Sequence, residues 1–383
     1  MDFSYPENAQ HLRAEFRAWL ADNLNDEVIE ADRHRGRCDQ AFQTLRSWDA
    51  AVADAGWAAI SWPKALGGRD AGALEKLAYA EEAARAGLPA PLNLIGISNI
   101  APAIMLYGSE QQMQTLLPRM ARSEDIWCQG MSEPDAGSDL ASLRTRAVRD
   151  GEDFVINGQK IWTSLGHRAD WCQLYVRTDP DAPRHQGISC LIVDMSTPGI
   201  RVRPLVSING DADFAEIFFD DVRVSADAIL GPLNGGWQVA MTTLDHERAA
   251  AAQLYVEMRQ RLRDLVTDLG QLRDTSVLSD PTVQCRLGEL AIRINNLEIL
   301  CLRAVSAVMS GGDVGATASL AKSTWGEVGQ DLAALGYELL GHHVFGGQWA
   351  HQRLSARALT IAGGTTQVSK NITAQRVLGM PRR

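Results

Sequence analysis

The chain has 383 residues, 45% of them hydrophobic and 22% charged, which places it among globular proteins long enough for two or three packed units. Its formal net charge of −10 leaves no broad basic field for nucleic acid or an anionic membrane surface, so an anionic ligand needs a local basic site. The opening MDFSYPENAQ has acidic and polar residues where a secretory signal needs a basic end and an apolar stretch. The apolar stretch LNLIGISNIAPAIML is broken by Asn93, Ser98, Asn99 and Pro102 and is too short for a bilayer. A cytoplasmic protein with no membrane partner is expected. Cys38, Cys128, Cys172, Cys190, Cys285 and Cys301 are scattered, with no C-x-x-C and no paired histidine at ligand spacing. That pattern predicts small reduced core residues, with neither a metal site nor a disulfide framework.

In chain order, Leu12, Phe16, Leu20 and Leu24 recur at helical spacing, and LEKLAYAEEAARAG separates apolar from charged faces. Turns between helices are expected at Gly67-Gly68 and at Leu88-Pro89-Ala90-Pro91. The texture changes near Ile126. FVINGQKIW sets Asn157-Gly158 between two apolar runs, which predicts a β-hairpin turn there. Strands are expected over DWCQLYVRT, GISCLIVDM, GIRVRPL and AEIFFDDVRV, forming a compact sandwich or barrel. After Gly235-Gly236 the period is helical again, with a polar break from Asp274 to Pro281. The predicted fold class is mainly α with a central β-domain, divided at 1–125, 126–232 and 233–383.

Three segments carry chemistry. Met131-Ser132-Glu133-Pro134-Asp135-Ala136-Gly137-Ser138-Asp139 puts hydroxyls and exposed backbone N–H groups at the edge of the β-domain, a rim suited to a planar heterocycle, although such a loop alone is often only a turn. Gly158-Gln159-Lys160-Ile161-Trp162-Thr163-Ser164 follows, and the C-terminal tract reads IAGGTTQVSKNITAQRVLGMPR. Taken singly, a tryptophan on a strand is more often a core residue, and Thr365-Thr366 reads as a helix cap.

Together, and in this order along the whole chain, these segments resemble the acyl-CoA dehydrogenase family. The resemblance implies an N-terminal helical domain, a middle β-sandwich or barrel and a C-terminal four-helix bundle, with FAD held between the last two. It implies that Met131 and Ser132 bond the flavin's pyrimidine side, that Trp162 lies beside the isoalloxazine, and that the Ser164 hydroxyl is near flavin N5. Thr365 and Gln367 match contacts to the cofactor's phosphate and ribose. Ser138, Asp245 and Arg248 fall where the family binds the pantetheine arm or orders the thioester pocket of its acyl-CoA substrate. The implied reaction is α,β-dehydrogenation to the trans-2-enoyl-CoA, with an electron-transfer flavoprotein-type acceptor.

That chemistry needs one carboxylate to take the proton beside the thioester carbonyl. Most relatives carry it just before the Gly-Thr of the C-terminal motif, where this chain has Gly363. A minority carry it on the first long helix of the bundle before an arginine, and here Leu244-Asp245-His246-Glu247-Arg248 makes Glu247 the candidate. His246, its sequence neighbour, points about 100° away around a helix. The run from Ala249 to Ala252 leaves a thin helix face with room for a broad substrate.

Homotetrameric relatives complete each FAD site from a neighbouring subunit, through an Arg-x-x-Phe segment and a glutamine in a glycine-rich stretch. This chain reads LRDTSVLSDPTVQ at the first, and has Glu338 for the glutamine and His342 for a glycine at the second. A carboxylate near a pyrophosphate is unfavourable by charge. The expectation is therefore a heteromer, α2β2 with a related subunit in place of a homotetramer, resembling enzymes for CoA thioesters of bulky polycyclic acids such as steroid side chains. Two alternatives share the fold: a flavin-dependent acyl-CoA oxidase or monooxygenase, and a non-catalytic partner subunit.

Overall fold

The computed structural model describes residues 4–36, 38–250, 253–272, 276–312, 315–340 and 347–381, apart from the side chains of 247–250. Helices α1 (Glu7–Asn23), α2 (Asp26–Arg33), α3 (Asp39–Asp54), α4 (Ala73–Ala86), α5 (Ala101–Tyr107) and α6 (Glu110–Ala121) come first. Strands β1 (Trp127–Gly130), β2 (Arg146–Asp150), β3 (Asp153–Ser164), β4 (Trp171–Arg177), β5 (Ile188–Asp194), β6 (Ile200–Leu205) and β7 (Phe214–Ser225) follow. Helices α7 (Gly236–Ala250), α8 (Leu254–Gly270), α9 (Ser276–Ser279), α10 (Pro281–Met309), α11 (Gly315–Leu340), α12 (Gln348–Ser355) and α13 (Thr366–Arg376) complete the chain. No described helix is long and apolar enough to cross a membrane.

The chain forms two compact units that sequence order does not separate. One holds Met1–Asn23, Gly72–Leu88 and Glu247–Arg383, and the other holds Leu24–Ala71 and Pro89–His246. In the first, α1 buries Ala9, Leu12, Phe16 and Leu20 at helical spacing and packs on α4, which packs on α8. The core joins Leu77 of α4 to Tyr255, Met258, Leu297, Val328 and Leu332 of the C-terminal helices. A polar seam ties the same elements. Arg17 forks onto the buried Glu82 at 2.9 and 2.8 Å, and Tyr255 Oη donates to Glu81 at 2.6 Å. Gly336 leaves the gap into which Trp349 packs, since a Cβ there would lie 2.2 Å from the indole.

In the second unit a seven-stranded sheet runs β1-β4-β2-β3-β7-β6, with β5 paired to β4. One face buries Cys128, Phe154, Ile156, Leu174, Val176, Leu191 and Ile217. A second cluster packs Trp127, Tyr175, Ile188 and Ile192 against Ile104, Leu117 and Met120 of α5 and α6. The mainly helical class with a central sheet is therefore the observed architecture, and the four predicted strand segments are β4, β5, β6 and β7.

The hairpin expected at Asn157-Gly158 does not form. β3 runs straight through both residues while pairing with β2 on one side and β7 on the other, and the turn falls earlier, at Gly151 between β2 and β3. Gly158, at φ 151°, sits so close to Thr145 that a Cβ would lie 2.6 Å from its hydroxyl. The Asn157 side chain binds Asp221 of β7 in both directions, at 2.9 and 3.1 Å. Asn-Gly thus serves a register irregularity between two long strands. The cysteines also divide: Cys128, Cys172, Cys190 and Cys301 are buried, whereas Cys38 and Cys285 are exposed, and none of the six is in a disulfide.

Candidate functional site

Alternation along β3 points Phe154, Ile156 and Lys160 to the interior. Continued without interruption, the same period would bury Trp162. Instead, Lys160 pairs with Ile217 and Thr163 with Ala215, so β3 carries one extra residue against β7. The bulge turns Thr163 inward and leaves Trp162 outside, 61% exposed. It imposes strain, because Trp162 takes a left-handed backbone conformation at φ 59°; Leu165, at φ 53°, opens the turn that follows β3. Bulky residues rarely adopt that region outside functional sites. Phe214 meets the Trp162 ring edge-on at 5.9 Å and 82°, and Thr163 Oγ1 is buried without a hydrogen-bond partner among the described residues.

The loop after β1 is hung from the same stretch of β3. Ile161 N donates to Ser132 O at 2.9 Å. Lys160, wholly buried, donates through Nζ to Met131 O at 3.0 Å and to Glu133 Oε1 at 2.8 Å. The Glu133 carboxylate also accepts from Arg144 N at 2.7 Å and Thr145 N at 2.8 Å, while its backbone exchanges two hydrogen bonds with Ala136. Burial alone would raise the Glu133 carboxyl, but the Lys160 ammonium and these donors outweigh it and hold it below the usual carboxylate range. Burial lowers the Lys160 ammonium, with Glu133 opposing. Met131 and Ser132 remain half-buried at the edge, and Ser138 is exposed further along the loop, beside an ion pair between Asp139 and Arg184 at 2.9 Å.

Helix α7 starts against β5, where a Cβ on Gly236 would lie 2.5 Å from the Ser189 backbone. Its next turns are pinned by polar contacts. Tyr107 Oη meets Thr242 Oγ1 at 3.1 Å, and the buried Thr243 hydroxyl meets Tyr175 Oη at 3.2 Å and Gln173 Nε2 at 3.3 Å. Asp245 and His246 are exposed. The backbone of Glu247 and Arg248 lies within α7, but their side chains, like the whole of His342, fall outside the described residues; the Ala249–Ala252 run is likewise outside the description of side chains.

In the other unit, Gly363 and Gly364 form a left-handed turn at φ 63° and 92°. Lys322 of α11 holds this turn, donating to Leu359 O at 3.0 Å and Gly364 O at 2.7 Å. Thr365 caps α13 by accepting from Val368 N at 3.1 Å, and Gln367 is exposed on the first turn. Glu338 is not a loose carboxylate: Arg286 of α10 binds both its oxygens, at 2.6 and 2.8 Å.

The site residues expected from sequence therefore fall into groups. Met131, Ser132, Trp162 and Ser164 come together through the β1 loop and the end of β3. Thr365 and Gln367 share one turn of α13 in the other unit. Sequence reading passed over Glu133, Lys160, Phe214 and Lys322. Only Lys160 had a usable signal, since it stands in phase with Phe154 and Ile156 on a strand, where a lysine must find a partner or stay in water.

The sheet that carries this strained, outward-turned tryptophan stands between helical segments on both sides in sequence. The chain matches the models for the acyl-CoA dehydrogenase N-terminal domain over residues 6–124, middle domain over 128–222 and C-terminal domain over 234–378. It belongs to the acyl-CoA dehydrogenase family and is, by class, an acyl-CoA dehydrogenase. It is 37% identical to the acyl-CoA dehydrogenase IpdE1 of Mycobacterium tuberculosis over 98% of this chain and 99% of that one. The solved Tcur3481-Tcur3483 steroid ACAD aligns with TM-score 0.88 and 32% identity over the full length of both chains. The ChsE4-ChsE5 complex from Mycobacterium tuberculosis aligns with TM-score 0.87 and 33% identity, again over both full lengths.

Proposed function

We propose that this chain is the base-bearing subunit of a heteromeric, FAD-dependent acyl-CoA dehydrogenase for a bulky, steroid side-chain-like acyl group. The division at 1–125, 126–232 and 233–383 is its domain plan. The described residues suit the cofactor: an outward-facing indole beside a rim of backbone and hydroxyl groups, and a buried Thr163 hydroxyl with no partner among those residues. Met131, Ser132, Trp162 and Ser164 hold and orient the ring, and Thr365 and Gln367 offer the N-terminal turn of α13 to a phosphate. FAD, when bound, supplies the hydride acceptor. Glu247 receives the proton from the carbon next to the thioester carbonyl, while Ser138, Asp245 and Arg248 bind and orient the thioester and its pantetheine arm.

The observation that carries this reading is Gly363, a left-handed glycine where most relatives have their base, in a chain whose α7 supplies Glu247 before Arg248. Glu247→Gln should keep the flavin spectrum and cut turnover by at least ~10²-fold; an enzyme still active would end the assignment. The heteromer is supported by the likeness to the ChsE4-ChsE5 complex and by Glu338 standing where homotetrameric relatives have a glutamine. The partner is a related subunit in an α2β2 assembly, and the electron acceptor is of the electron-transfer flavoprotein type. Native mass and flavin count, measured for the chain alone and co-expressed with a related subunit, test this. A homotetramer of this chain with full FAD occupancy would refute it.

A further inference from the structure

We infer that the buried Glu133–Lys160 ion pair is the positioning device of the flavin rim, fixing where Met131 and Ser132 meet the bound ring without touching that ring. The inference rests on the reading of Met131 and Ser132 as the rim.

Four observations support it. Lys160 is fully buried and Glu133 is 8% exposed, so neither charge is shared with water. An apolar pair of similar volume would fill such a space with equal or better stability, so what charges add here is direction. Three hydrogen bonds of the pair end on loop backbone: Met131 O, Arg144 N and Thr145 N, at 2.7 to 3.0 Å. The pair thus clamps both ends of the 131–145 loop. The rim strand also lies directly on the lysine stem, since a Cβ on Gly130 would lie 3.5 Å from Lys160 Cγ, as well as 2.7 Å from Leu174 Cδ1. Finally, Lys160 immediately precedes the bulge that turns Trp162 outward, so one residue sets both the rim and the start of the aromatic wall.

The test uses the FAD-loaded enzyme, with its partner subunit if wild type requires one. Lys160→Met/Glu133→Gln removes both charges together and leaves no unpaired ion. It should fold, weaken FAD binding by about tenfold or more, and alter the visible bands of the flavin that remains bound. Val52→Ala, a core change in helix α3, is the control and should lower Tm while leaving the FAD Kd and spectrum unchanged. If the double variant loses its circular dichroism, Glu133→Asp is measured instead, which keeps both charges but draws the carboxylate back from Arg144 N and Thr145 N, with weaker FAD binding again expected. Wild-type Kd and spectrum in whichever of these variants folds would overturn the inference. Trp162→Ala separates it from the reading beneath: if Trp162→Ala weakens FAD binding and the ion-pair variants do not, only the positioning role fails. If none of them changes FAD binding, the rim assignment fails as well.

Discussion

Two lysines hold two loops of this protein by their carbonyl oxygens, in different surroundings. Lys160 on a strand reaches Met131 O from a wholly buried position and keeps a carboxylate, Glu133, at 2.8 Å. Lys322 on a helix reaches Leu359 O and Gly364 O from a half-buried position. In the sheet unit the charge is dry, so it needs a counter-charge and that counter-charge needs further donors, which makes the loop part of the core. In the helical unit the lysine is only half-buried, and the glycine turn is tethered at two points.

The comparison predicts unequal consequences. Lys160→Met alone strands the Glu133 carboxylate and should destabilise the folded protein by about 3–5 kcal/mol in denaturant titration; a loss near 1 kcal/mol would show that the pair is wetter than described. The next effect sharpens the role of the counter-charge. Asp49, in the same unit, is buried, and among the described residues its hydrogen-bond donors are the Ser123 hydroxyl and Leu92 N, at 2.7 and 2.8 Å. Burial pushes its carboxyl up to about 6, opposite in sign to Glu133. Its folded form binds a proton more tightly than the unfolded chain, whose aspartate titrates near ~3.9. That contribution is fully present below about pH 4 and is lost as pH rises through about 6. Asp49→Asn should therefore raise stability at pH 7 by about 3 kcal/mol and flatten its fall between these pH values. An unchanged pH profile would contradict the assignment.

Lys322→Met should be milder, about 1 kcal/mol, with increased amide exchange confined to the 359–364 turn. Exchange spreading through α11 would mean that the lysine supports the helix itself. The smallest effect is expected from Glu338→Gln. Its ion pair with Arg286 is substantially exposed, so thermal stability should shift by less than about 1 kcal/mol, and any change in assembly on that substitution reports the surface and not the fold.

Much of the architecture was legible in sequence because period and composition act locally. The α1 stripe of Leu12, Phe16 and Leu20, and the four β-runs from Trp171 to Val224, fold as their spacing requires. The hairpin at Asn157-Gly158 failed because turn preference is a local tendency, whereas β3 has partners on both edges that keep it extended. Trp162 shows the same limit in the other direction, since alternation alone would bury it and the bulge against β7 exposes it.

By itself the sequence determined the order of helical, β and helical segments, the family, and the loss of a glutamate at Gly363, because these depend on residue identity and local period. Only the tertiary structure decided that α1 and α4 pack with the C-terminal helices, that Lys160 and Glu133 meet in the dry interior, and that Arg286 occupies Glu338. Each of those joins residues at least 27 positions apart in the chain, a separation over which no local preference acts; the pairing is settled only when the burial of apolar surface brings the elements together.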